Sequence, residues 1–233
     1  MRLWARGIFR GSIAMGQRLR RGVLLGSPIL MAISSVLHPH PPFSRPGMLE
    51  FLRPRLPMWM GVHVVQLFLL FLLGVALWFL TEGLAARAAT VSRVATGLFL
   101  VFYAAFDSVV GIGTGLLAHV VAADHSLDPS VAAGVVDRFW LARFDPPVGP
   151  LIALANLAWL TAVAAAALAL RRRGASWSPV ILLILAGVFF GIDHPWPPGT
   201  IGMVALLIAN VLLDRKGLLT SQQRSSGARL DRP

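Results

Sequence analysis

Asp107 lies near the middle of an unbroken apolar run, Ala95–Val121, and Gly111, Gly115 and His119 follow it at successive steps of four. A carboxyl that far from water costs several kcal/mol unless it is protonated, paired or turned toward a polar cavity, which marks it as a candidate functional site. No Lys or Arg lies in any apolar run to neutralise it. Candidate partners are Tyr103, one turn earlier, Ser108, and Gln66 or Asn156 from other segments. A protonated Asp107 bonded to Tyr103 is a structural solution. A carboxyl that exchanges its proton instead suits a proton-coupled transporter.

The histidines supply a second set of candidates. At about 1.5 Å per helical residue, His63 and His119 fall within roughly 10 Å of one end of their segments, and Gln66, Thr114 and Asn156 at about 10–12 Å. Asp193 and His194, in the turn DHPWPP, could close this layer from above, and His38 and His40 form a close pair in a proline-rich loop. Three chemistries are open to such a layer. It can be interhelical hydrogen bonding, each bond worth about 0.6 kcal/mol. It can be a metal or b-type haem site with His63, His119 and His194 as ligands, since neutral imidazole ligates both. It can be a ligand or proton pathway through Asp107, Tyr103, Gln66, Asn156 and Thr114.

Other catalytic signatures are missing. The chain contains no GxSxG, HExxH, GxxxxGK[ST] or GxGxxG, and no cysteine, so no thiolate chemistry or disulfide is available to it. No catalytic residue is assigned. Gly111 and Gly115 form a small-xxx-small pair that lets another helix come close, and this packing role is favoured over a hinge.

The elements that position these residues are read from hydropathy. The 233 residues are 56% hydrophobic and 13% charged, with a mean hydropathy of +0.72, which excludes an ordinary soluble domain. A bilayer span needs about 20 apolar residues. The expected fold is an all-α integral membrane bundle of six transmembrane helices, about 22–37, 58–80, 95–121, 148–170, 178–192 and 199–213. The Arg-rich tail 1–21 precedes it and the basic tail 214–233 follows. The Arg-rich start before a short apolar stretch also describes a signal peptide, and cleavage near Ala32–Ser35 would leave five spans; retention is favoured because no clear cleavage site follows. Met15 is a plausible alternative start.

The net charge of +11 is carried almost wholly by Arg. Its runs sit beside apolar segments, so they read as topology signals and not as a nucleic-acid footprint. With both termini cytoplasmic, sixteen basic residues fall inside and five outside. Trp59 and Trp196 then mark the outer boundary, Trp78 and Trp177 the inner one. The Arg-rich tails, with Arg18, Arg20, Arg21, Arg215 and Lys216, are expected on anionic headgroups of a bacterial plasma membrane.

In the loop 122–147, Asp128-Pro129 is a helix start. It places Val131, Val135, Phe139 and Trp140 on one side, as an interfacial helix or as a lid on the bundle. The function expected from all this is a non-catalytic accessory or small-ligand-binding membrane protein, with a membrane-protein partner or a second copy of itself as further candidates. A proton-coupled transporter using Asp107 and a redox subunit using His63 and His119 are the alternatives.

Overall fold

The structure, a computed structural model, describes residues 2–41, 47–84, 86–124 and 126–218, with side chains from residue 16 onward. The tail beyond 218 and His125 lie outside the described residues. Helix accounts for 85% of the described residues, and no strand occurs among them. The helices are α1 (Arg2–Leu37), α2 (Met48–Leu52), α3 (Leu56–Thr81), α4 (Arg87–Asp107), α5 (Thr114–Ala123), α6 (Pro129–Leu141), α7 (Gly149–Arg172), α8 (Trp177–Ile192) and α9 (Pro198–Arg215). A wide π-helical turn, Ser108–Gly113, joins α4 to α5.

Five of these stretches are long and apolar enough to cross a bilayer: Gly16–Leu37, Met48–Thr81, Arg87–Ala123, Gly149–Arg172 and Pro198–Arg215. Trp177–Ile192 is apolar but shorter. Six spans were expected; five long helices and one short one are what the fold contains. Apolar side chains cover the outside, with Phe68, Phe71, Val101 and Leu157 each more than 60% exposed. A surface of that kind suits contact with lipid and not with water.

The expected first span begins at residue 22, whereas α1 is already helical from Arg2. It packs against α3 and α9, burying Leu24 and Met31 completely. Asn210 of α9 donates to the Leu24 carbonyl at 2.7 Å, so this helix is built into the bundle. At the same end, Arg20 pairs with Glu82 and donates to the Phe79 carbonyl, Arg21 pairs with Asp214 at 2.7 Å, and Lys216 donates to Ser176. Arg18 and Arg215 remain exposed.

Two apolar cores divide the molecule. The larger is packed from α1, α3, α4, α7, α8 and α9 and includes Leu73, Phe99, Trp159 and Leu206. The smaller gathers Met48, Leu49 and Leu52 of α2, Trp59, Ala118 and Val121 of α5, and Ala132, Val136 and Trp140 of α6. It forms a cap over one end. The 37 residues from Arg87 to Ala123 would measure about 55 Å as straight helix, far beyond a bilayer core of about 30 Å. The surplus of α5 packs in the cap against α2 and α6.

Helix α6 starts as its sequence implies, with Asp128 accepting from the Ser130 and Val131 amides and Pro129 at its first position. Its faces divide differently from the expectation. Trp140 joins Ala132 and Val136, spaced by four, on the buried side. Val131, Val135 and Phe139 form the neighbouring, exposed stripe. The helix is therefore a lid with a second apolar face turned outward. Asp137 fastens it by accepting from the Gly47 and Met48 amides at the start of α2.

Candidate functional site

The site follows from two helical stripes. On α3 the buried positions Trp59, His63, Gln66, Leu70, Leu73, Leu77 and Leu80 recur at alternating steps of four and three, one face of the helix. The leucines pack the main core, and the first three members carry the polar and aromatic groups. On α4 the matching face is Phe99, Tyr103 and Asp107, all buried. Where the two faces meet, His63 Nδ1 lies 2.7 Å from Asp107 Oδ1, with side-chain exposures of 4% and 2%. One proton lies in that hydrogen bond, whether the pair is ionic or neutral.

Directly after Asp107 the helix widens into its π turn, a form frequent at functional sites. The Trp59 indole donates to the Gly111 carbonyl at 2.7 Å. A side chain at Gly111 would overlap the His63 ring, and one at Gly115 would press on Met60 and Trp59. The glycine pair that the sequence assigns to helix packing thus admits the site's own rings.

His38, the residue after α1, is 4% exposed. Its Nδ1–H donates to the Pro39 carbonyl at 2.8 Å. Its ring sits edge-to-face with His63 (4.8 Å between centroids), His194 (4.9 Å) and Trp59 (5.5 Å). Burial first, and then the neighbouring His63, push its pKa down to about 3. His194 is likewise lowered, by burial and then by His38, while burial raises Asp193. The loop that carries His194 is tied to α1, since the Trp196 amide donates to the Ser35 carbonyl and His40 Nε2 to the Trp196 carbonyl. Gly199 lies against the His194 backbone, leaving no room for a side chain.

The cap supplies the roof. Trp140 packs on Trp59 with ring centroids 5.8 Å apart. The buried Arg143 guanidinium lies 3.6 Å from the Trp140 ring centroid and 4.2 Å from that of Phe144, and it donates to the Trp140 carbonyl. Desolvation lowers it to about 10, so it stays charged at neutral pH.

Between roof and bundle lies a cavity of about 290 Å³. Its walls include the buried His38 and His63, the partly buried His194, and Asp107, Tyr103, Asn156 and Arg143. Four buried polar atoms of cavity-lining residues have no hydrogen-bond partner among the described residues: His38 Nε2, His63 Nε2, His194 Nε2 and Asp107 Oδ2. Native proteins leave few such atoms, and four around one cavity require an explanation.

Of the candidates read from sequence, Asp107, Tyr103, Asn156, His63 and His194 line this cavity. Gln66 is buried and approaches the Tyr103 hydroxyl. Thr114 is buried but donates to the Val110 carbonyl of its own helix. His119 is exposed and is not part of the wall, so His63 and His119 do not meet as a ligand pair. Among the described residues no three His, Asp or Glu side chains are set to hold a metal ion.

Sequence reasoning misses three members, Trp59, Trp140 and Arg143, and gives His38 only as half of a close histidine pair. Trp59 was expected at a membrane boundary and is 1% exposed instead. Its spacing of four from His63 is the signal that places it in the site. Asp107 meets His63, a partner depth counting passes over because α5 runs on into the cap. Comparison with known protein families, with curated proteins and with solved structures finds no match to this chain.

Proposed function

We propose that this multi-pass membrane protein binds a small polar ligand in the capped cavity, as a non-catalytic receptor or accessory subunit. The observation that carries this reading is the set of four buried, unpartnered polar atoms around one space of about 290 Å³. That volume sits at the small end of ligand sites, which are apolar clefts with a few convergent polar groups. The Arg distribution supports both termini on the cytoplasmic side of a bacterial plasma membrane, with the cavity toward the outer face.

The test is a melting-temperature screen of the detergent-purified protein against one-ring amines, alcohols and carboxylates. Stabilisation by one class that disappears in Asp107→Asn, the milder substitution in the buried pair, supports the reading. Identical shifts in wild type and variant, or none at all, oppose it.

A second reading is a proton-coupled transporter, and the buried His63–Asp107 pair favours it. Two titratable groups sharing a proton inside a bundle are the usual material of proton relays. It requires ligand binding to change with pH and to lose that dependence in Asp107→Asn.

A further inference from the structure

The donors and acceptors around the cavity point to the kind of ligand it takes, an inference that rests on the ligand-binding reading above. His38 spends its N–H on the Pro39 carbonyl, so its buried Nε2 offers a lone pair to the cavity. Asp107 uses Oδ1 on His63 and leaves Oδ2, an acceptor, without a partner. The unpartnered set is thus weighted toward acceptors, which a hydrogen-bond donor satisfies.

Charge points the same way. The cavity is lined by two carboxylates, Asp107 and Asp193, and one guanidinium, Arg143. The guanidinium is already held against the Trp140 and Phe144 rings. By residue type these three groups are two acids and one base. Trp59, Tyr103 and Phe106 complete the wall with aromatic rings, which attract cations and pack against apolar bodies.

Size separates the two kinds of cation. A bare metal ion would fill only a small part of about 290 Å³, and among the described residues no three ligands surround a common point. An organic cation of about one ring fills the space. We infer that the cavity takes a small organic ammonium, its N–H donors on Asp107 Oδ2 and His38 Nε2 and its apolar body between the Trp59 and Phe106 rings.

The absence of cysteine makes a direct test possible, because one introduced thiol is the only one. Asn156→Cys places it in the cavity wall of the full-length protein. Its rates with an aminoethyl and a sulfonatoethyl methanethiosulfonate are measured relative to free N-acetylcysteine, with and without benzylammonium. The expected result is at least a tenfold preference for the cationic reagent, and protection by benzylammonium but not by benzyl alcohol or benzoate. Adding Asp107→Asn, or Asp193→Asn if the former does not fold, brings the two rates toward parity.

Each other outcome overturns the proposal and says how much falls with it. Protection by benzoate or benzyl alcohol as strong as by benzylammonium leaves a ligand cavity of another class. Protection by Zn²⁺ alone assigns the histidines to a metal. A thiol that neither reagent reaches and no compound protects removes the ligand cavity itself.

Discussion

The His63 ring lies where a side chain at Gly111 would be, with its Cγ 2.6 Å from the position of the missing Cβ. The π turn, the glycine and the His63–Asp107 bond are one arrangement, since the ring reaches the carboxyl only over bare backbone. Gly111→Ala forces the ring away, an overpacking cost of about 1–3 kcal/mol. The expected outcome is a lower melting temperature and loss of any ligand response. Gly97→Ala, where nothing lies within 4 Å of the added carbon, is the control and leaves both unchanged.

The two partners of the buried pair respond unequally to substitution. Deleting one member of a buried pair leaves the other uncompensated and costs about 3–5 kcal/mol. His63→Ala is therefore strongly destabilising. Asp107→Asn keeps an acceptor opposite the imidazole and costs less, about 1–3 kcal/mol. Denaturation of the two variants in the same detergent checks the order, and equal losses would argue against a shared hydrogen bond as the origin.

Stability depends on His38 with a definite sign. Its folded pKa, about 3, is below the ordinary 6.5, so the unfolded chain binds more protons between those values. Its contribution is complete above about pH 6.5 and is lost as pH falls toward 3. His194 acts in the same direction. His63, His40, Asp193 and Tyr103 are the other ionisable groups that face these rings. A melting temperature that falls from pH 7 to pH 4, with a shallower slope in His38→Gln, is the expected result. An unchanged slope would place the dependence elsewhere.

Topology is testable with the same cysteine-free background. Single cysteines at Ser130 in the cap and at Arg172 at the end of α7 should label from opposite sides of the membrane in intact cells. Ser130 is expected to react with an impermeant reagent from outside and Arg172 only after permeabilisation. The reverse pattern inverts the orientation, and labelling of both from one side breaks the span count.

Much of the architecture is legible because hydropathy changes sharply at certain places. The segments 148–170, 178–192 and 199–213 agree with α7, α8 and α9 within two residues, bounded by Arg runs and prolines. The start of α4 lies eight residues before the expected 95, because Arg87–Val94 buries only Ala88, Ala89 and Ser92 and has no strong apolar signature. The site is legible as a polar layer but not as a set of pairs. Periodicity gives the face shared by Trp59, His63 and Gln66, whereas the neighbour of that face depends on helix order. His38 joins the site only through the end of α1 and the His194 loop, and Trp140 and Arg143 only through the folding of α6 over the cavity.

The measurement that bears most directly on the central claim is a high-resolution density map of the wild-type protein at pH 7 with benzylammonium present. Non-protein density larger than water is expected in the cavity, in contact with Asp107 Oδ2 and His38 Nε2. A cavity filled only by ordered water bridging those atoms, or closed by histidines bonded to one another, would contradict it.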